Sequence, residues 1–263
     1  MNTIHLVFPF DLKKKVVPWE MGNQIYKSLK DTYNFKFYDW MSFEKIIPEP
    51  GDILIGHPNS FPFTCFRRSL INPNWKKVII FQPYNEDPLQ LSYINELIPF
   101  CDQFIALCGE FWFNRIKNSI FNEWYTIMDH IDIAIHKSQF PKIKKKFNSA
   151  GKRKILYIGN DYSYNNYAKN LKYLKKISYK FKPYLFGSIG NKNINNFKNY
   201  KWLNLTNKKN LNIILNYDFL ISTSTNDANP STILEAISWG LIPIITPQSG
   251  YNDKRRFIKE NCS

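Results

Sequence analysis

No run of this chain is apolar for long enough to cross a bilayer as a helix, which argues against an integral helical membrane protein. At the amino end the apolar run Thr3 to Phe8 comes before Lys13, Lys14 and Lys15, the reverse of the order in a secretory signal. The expected location is the cytoplasm, either free or peripheral to the inner membrane face. The four cysteines, Cys65, Cys101, Cys108 and Cys262, have neither metal-ligand nor redox spacing, so they read as reduced, isolated thiols. Histidine is equally sparse. His130 and His136 stand six apart, not at the one-turn spacing of a helical metal pair, and no structural metal or resident cofactor is expected. No repeat of 20 to 50 residues is visible, which argues against a solenoid or propeller. Acidic residues are the scarcer charge, 21 against 36 basic, for a net charge of +15. That balance favours anionic partners. Lys, Asn, Ile, Tyr and Phe are all abundant, however, and a general compositional bias accounts for much of the lysine.

What is present is ample material for a core. Of the 263 residues, 44% are hydrophobic and 17% aromatic, enough for one large or two modest domains. Short apolar runs alternate with helical patterns. Strands are expected at Thr3 to Phe8, Phe35 to Trp40, Asp52 to Gly56, Lys77 to Phe81, Gln103 to Leu107 and Trp124 to Asp132. Helices are expected at Gln24 to Lys30, Gln90 to Ile98 and Glu110 to Ile120. After the basic stretch Lys137 to Arg153, a second alternation opens at Lys154 to Asn160 and runs through a helix at Ala168 to Leu174. Further strands are expected at Pro183 to Gly187 and Tyr200 to Leu205. Strands alternating with helices imply an α/β fold with parallel sheets. The expected division is an N-terminal domain over residues 1–140, a basic linker over 141–153 and a C-terminal domain over 154–263.

The most informative stretch is Ile221 to Gly250. Tyr217 to Ser222 reads as a strand buried on both faces, and Thr223 to Asn229 as a polar loop. Asn229 is expected as an N-cap and Pro230 as the first helical residue, since proline lacks the N–H that would go unpaired there. Ser231 to Trp239 continues the helix, Gly240 ends it, and Leu241 to Thr246 forms the next strand. A helix start at the carboxyl end of a parallel strand presents free amides and a partial positive charge, a place for a diphosphate. Asp227 precedes the helix and Glu235 lies within it, one turn beyond Ser231. Carboxylates beside such a cradle can accept hydrogen bonds from sugar hydroxyls.

The stretch resembles the donor-binding motif of the GT-B glycosyltransferases of the group 1, retaining type. Their pattern is a small residue, Ser-x-x-Glu-Gly-x-Pro, then a helix carrying a second Glu followed by Ala, and a Gly before a strand. Here it reads Thr223-Ser224-Thr225-Asn226-Asp227-Ala228-Asn229-Pro230, then Glu235-Ala236 and Gly240. Asp227 stands where the family has Glu, and Ala228 where it has Gly. The resemblance implies two Rossmann-like domains facing across a cleft, and transfer of a hexose from a nucleotide-diphosphate sugar to an acceptor hydroxyl with retention. It places Asp227 at the transferred sugar as the catalytic candidate. Ser224, Asn229, Pro230, Ser231, Thr232 and Glu235 then line the donor. In the family the first turn of this domain carries a basic pair for the diphosphate. Lys169 matches the lysine element, while Asn160 stands at the usual arginine. On the acceptor side the candidates are Trp19, Glu20 and Gly22, without the family's paired glycines, and His57 at the end of a strand. Family members continue for several more elements, so a truncated chain or a compact variant is implied. The implied acceptor is a saccharide or a lipid-linked molecule of surface polysaccharide or glycoconjugate synthesis, with no nucleic acid partner.

Two other readings stay open on the residues alone. One is a nucleic-acid-binding protein using the basic linker and the run Lys172 to Tyr184, KYLKKISYKFKPY, whose aromatics suit buried elements equally well. The other is a nucleotide-sugar binder without activity, its site altered at Asp227, Ala228 and Asn160.

Overall fold

Strand β1 (Thr3–Phe8) is buried along almost its whole length and pairs in parallel with β2 (Asn34–Asp39) on one side and β3 (Asp52–Gly56) on the other. The computed structural model describes residues 2–9, 17–135, 139–159, 170–183, 185–190 and 193–251, with the side chains of 17–20 excepted. The first sheet continues through β4 (Trp75–Pro83), β5 (Gln103–Leu107) and β6 (Met128–Ile131), all parallel, in the order β2-β1-β3-β4-β5-β6. Its helices are α1 (Val17–Leu29), α2 (Cys65–Ser69), α3 (Pro88–Leu97) and α4 (Glu110–Lys117). Helix α3 starts where its sequence says it should: Asp87 accepts the amides of Leu89 and Gln90, and Pro88 follows it.

The second sheet holds β7 (Ile155–Ile158), β8 (Phe186–Ile189), β9 (Phe197–Tyr200), β10 (Phe219–Ser222) and β11 (Ile242–Ile245), again all parallel, in the order β11-β10-β7-β8-β9. Helix α5 (Leu171–Ser178) packs one face with Tyr157, Phe186 and Phe197. On the other face α6 (Lys208–Leu211) and α7 (Ser231–Trp239) cover a cluster that includes Leu156, Ile214, Leu220 and Trp239. Helices on both faces let strands such as β10 be apolar without alternation.

The α/β class with parallel sheets agrees with expectation, and several element boundaries do not. Helix α1 begins at Val17, seven residues ahead of the expected start at Gln24. The first half of the strand expected from Trp124 is a 3-10 turn, Asn122–Thr126, that tucks Trp124 fully into the core. The strand expected at Tyr200 to Leu205 lies earlier, at Phe197–Tyr200, because Phe197 is the residue that fills the space under α5.

Two compact units emerge: residues 1–108 with 112–131, and residues 132–263 with 109–111. Residues 139–154 pack into the second unit. The amides of Ile143 and Lys144 donate to the carbonyl of Trp239, at 3.3 and 2.9 Å. The Lys144 ammonium is buried, 3.1 Å from Asp218 Oδ1 and 3.0 Å from the Leu215 carbonyl. Asp218 also accepts the Asn148 amide at 2.7 Å, its Nδ2 at 2.9 Å and the Lys154 amide at 3.3 Å. Burial alone would raise the Asp218 pKa, but these hydrogen bonds outweigh it and hold the carboxyl below its ordinary value.

Candidate functional site

In the second sheet the strand order reverses between β7 and β10, and a ligand crevice in an open α/β sheet lies beyond the carboxyl ends at such a point. What leaves β10 there is the loop Thr223 to Pro230, followed at once by α7. Asn229 was expected to cap α7 and does not. Pro230 occupies the cap position in an extended conformation, at φ −69° and ψ 120°, and the helix starts at Ser231. The Asn229 Nδ2 instead donates to Asp132 Oδ1 at 2.8 Å, a partner 97 residues earlier in the chain. Since a carboxylate oxygen only accepts, the amide orientation is settled, and Asn229 Oδ1 points the other way. It is buried and has no hydrogen-bond partner among the described residues.

The Ile233 amide reaches the Pro230 carbonyl at 3.2 Å, while the amides of Ser231 and Thr232 have no partner among the described residues. These are the free donors that a helix start offers to an anion. Both side chains are half-buried. Glu235, on the next turn, accepts a hydrogen bond from the Ser231 side chain, and its burial raises its pKa above the ordinary carboxylate value despite that bond. Asp227 is half-buried, and its amide donates to the Gln248 carbonyl at 3.0 Å.

The loop that presents these groups is fastened by contacts the sequence did not suggest. Ser224 is fully buried, with its Oγ 3.0 Å from Ser222 Oγ, and the Ser222 hydroxyl also lies 3.4 Å from Ser249 Oγ. Thr246 Oγ1 donates to the Ser224 carbonyl. The Tyr251 hydroxyl donates to the Pro230 carbonyl at 3.3 Å. Gly109 donates its amide to the Ala228 carbonyl at 3.1 Å, and Phe111 donates to the Gly250 carbonyl at 3.2 Å. A Cβ on Gly109 would sit 1.8 Å from the Gly250 oxygen, and Gly250 itself takes φ +89°. Only glycine meets both demands. Ser224 and Asn229, expected as donor ligands, thus have protein partners that hold the loop. The sequence signal for this fastening is the pair Ser249-Gly250 after the last strand.

In the first unit, the strand order reverses between β1 and β3, and His57 stands at the carboxyl end of β3. Its amide donates to the Val7 carbonyl at 2.9 Å, and its Nδ1 donates to the Pro58 carbonyl at 2.8 Å. That leaves Nε2 with the lone pair. The ring stands edge-on to Trp40, 4.8 Å between centroids. Burial pulls the His57 pKa down to about 4, only partly offset by the Pro58 carbonyl. At neutral pH the ring is an uncharged acceptor, suited to orienting a hydroxyl rather than to removing its proton. Gly22, a candidate on the acceptor side, is buried, and a Cβ there would meet the Phe8 ring at 3.0 Å. Its role is close packing of α1 on β1. Trp19 and Glu20 lie in the first turn of α1, and their side chains fall outside the described residues, as do Lys169 and Asn160 altogether.

The depressed His57 pKa makes a stability prediction. Between the unfolded value of 6.5 and about 4 the unfolded chain binds the extra proton, so stability held at neutral pH is lost as pH falls through that window. About 2 kcal/mol of this loss should be in place by pH 5. Urea unfolding at pH 7 and pH 5 checks it: His57→Gln should lose less stability over that interval than the wild type, and equal losses would refute it.

The fold is the GT-B α/β fold, and solved structures share it. The lipopolysaccharide outer core galactosyltransferase WaaB, in its apo form, superposes with a TM-score of 0.63 at 13% identity, over 98% of this chain and 84% of that one. An alpha-glucosyltransferase in complex with UDP and a 13-mer DNA containing a HMU base matches with a TM-score of 0.53 at 13% identity, over 94% and 80%. The crystal structure of TarM matches with a TM-score of 0.54 at 14% identity, over 81% of this chain, which spans 45% of the length of TarM. No family model matches the sequence, and no curated protein does.

Proposed function

We propose that the protein is a glycosyltransferase that moves a sugar, read as a hexose, from a nucleoside-diphosphate donor to an acceptor hydroxyl. The observation that carries the reading is the start of α7: two unfilled amides, of Ser231 and Thr232, at the switch point of a parallel sheet, with a half-buried carboxylate one turn on. The donor diphosphate sits on these amides, and Glu235 accepts hydrogen bonds from the ribose hydroxyls. Asp227 binds the transferred sugar. The Asn229 Oδ1, buried without a partner, suits an O–H donor of the same ligand. In the reaction the bond from the anomeric carbon to the diphosphate oxygen breaks and a bond to the acceptor oxygen forms. The acceptor hydroxyl's proton passes to the departing diphosphate, which leaves with the electron pair of the broken bond. Charge growing on that leaving group is stabilised by helix amides already aimed at it, with Lys169 as the added cation. The reading calls on no metal or other cofactor. Retention of configuration follows the resemblance of the motif, and the two-carboxylate scheme of hydrolases is not imposed on it.

On the acceptor side, the neutral His57 orients a hydroxyl. Phe61 and Phe63, exposed four and six residues on, offer an apolar rim that fits a lipid-linked saccharide, as in surface polysaccharide or glycoconjugate synthesis. Since one of the similar structures was solved with UDP, UDP-sugars come first in the test. Incubation with a panel of UDP- and GDP-sugars, with and without saccharide acceptors, should release nucleoside diphosphate from one donor. If none is turned over but one binds by calorimetry, the protein is an inactive binder; if none binds, the reading fails.

A further inference from the structure

The net charge is not spread over the chain. Residues 1–138 carry 14 Lys and Arg against 15 Asp and Glu, whereas residues 139–251 carry 18 against 4. Of those four acids, Asp218 is buried against Lys144, Asp227 and Glu235 belong to the candidate site, and Asp161 lies outside the described residues. Helix α5 and the turn after it, residues 171–183, hold no acid at all.

The arrangement on α5 is ordered. Leu171, Leu174 and Ser178 face inward and are buried, with Ile177 half-buried. The exposed arc of the helix carries Lys172, Lys175 and Lys176, and Lys180 continues it past the last turn. Between these cations stand rings that a folded core has left outside: Tyr173 is 50% exposed, Tyr179 62% and Phe181 49%. The sequence alone allowed these aromatics to be core residues, and the structure puts them on the surface. Lys182 closes the run.

We propose that this outward face of α5 docks on an anionic lipid surface. Charge complementarity is the first ground: lysines near a bilayer bearing acidic headgroups each add to binding, and residues 171–183 contain no acid to offset them. The rings are the second. Tyrosine and phenylalanine flanked by lysine settle at headgroup depth, the ring in the apolar boundary and the ammonium groups reaching outward. A polynucleotide fits the face less well. It is the convex side of a single helix, not a groove, and its exposed positions carry no Arg, Asn or Gln to read base edges. The inference is independent of the proposed sugar transfer, since the face is built from residues outside the donor site.

Co-sedimentation of the whole chain with vesicles tests it, using phosphatidylcholine alone and phosphatidylcholine with phosphatidylserine at about one lipid in three. No sugar nucleotide is present, so the result is separate from that of the donor site. The wild type should pellet with the anionic vesicles only, less so as salt is raised. The triple variant Lys172→Glu, Lys176→Glu, Lys180→Glu should lose partitioning on the order of 100-fold. Replacing the same three by arginine should preserve it. Tyr179→Ser with Phe181→Ser should weaken it by a smaller amount that salt does not change. Circular dichroism and the thermal midpoint establish that each variant is folded, and a triple change to glutamine replaces the glutamate one should that fail to fold. Binding equal on both vesicles, no binding, an unaffected triple variant, or transfer of the protein from vesicles to an added oligonucleotide would each overturn the proposal.

Discussion

Glu235→Ala is expected to weaken binding of the donor nucleotide by about 10- to 100-fold, the loss that goes with one or two hydrogen bonds to a charged acceptor. Calorimetric titration with UDP and GDP measures it. The stability of the variant should move the other way. Burial raises the Glu235 pKa, so the folded state holds its proton more tightly than the unfolded chain does. The stability linked to that proton is present below the unfolded pKa and is lost as pH rises through the folded one. At neutral pH the ionised carboxylate therefore burdens the fold, and Glu235→Gln should raise the thermal midpoint while lowering nucleotide affinity. A residue kept only for packing would not separate the two readouts. Unchanged affinity in Glu235→Ala would remove the carboxylate from the donor site.

Asp218→Ala should be the most damaging single change in the second unit, at about 3–5 kcal/mol, because it leaves a buried ammonium uncompensated. Lys144 is 4% exposed at its side chain and would retain only the Leu215 carbonyl, while the amides of Asn148 and Lys154 would lose their acceptor. A fall in the thermal midpoint on the order of 10 °C follows. The double change Lys144→Met with Asp218→Leu should recover part of it, since two apolar side chains leave no charge behind. Acid should weaken the wild type at the same place. The depressed Asp218 pKa means that its contribution is present above the unfolded value and is lost as pH falls through the folded one. If the single and double changes cost the same, the ion pair is not what fastens residues 139–154.

The parts of the molecule that could be read beforehand are those whose cause is local. Asp52 to Gly56 and Gln103 to Leu107 are short apolar runs between polar breaks and form strands over just those residues. The helix after Pro230 and its end at Gly240, which takes φ +95°, follow from what proline and glycine do to a backbone. The misreadings come from distant partners. Asn229 has the chemistry of an N-cap, but Asp132, 97 positions earlier, claims its side chain, and nothing in the sequence between them announces that contact. Ser224 has the look of a ligand residue, yet its hydroxyl is turned into a cluster with Ser222, at the end of β10, and Ser249, from the turn after β11. Gly22 is an acceptor-side candidate by its position, yet what its missing side chain admits is the chain's own Phe8. The end of a strand marks His57 as a candidate, but burial, invisible in a single sequence, decides what the ring can do.

The three residues Gly109 to Phe111 come from late in the first half of the chain, yet they belong to the second unit, where two of their amides fill the carbonyls of Ala228 and Gly250. A fragment cut cleanly after residue 131 would therefore arrive without its own keystone. Its loop at Ala228 would face water with an empty acceptor, and the tripeptide left behind on the other fragment would have nothing to grip. The unit is contiguous in space and discontinuous in sequence, so severing the chain there divides one folded object rather than separating two.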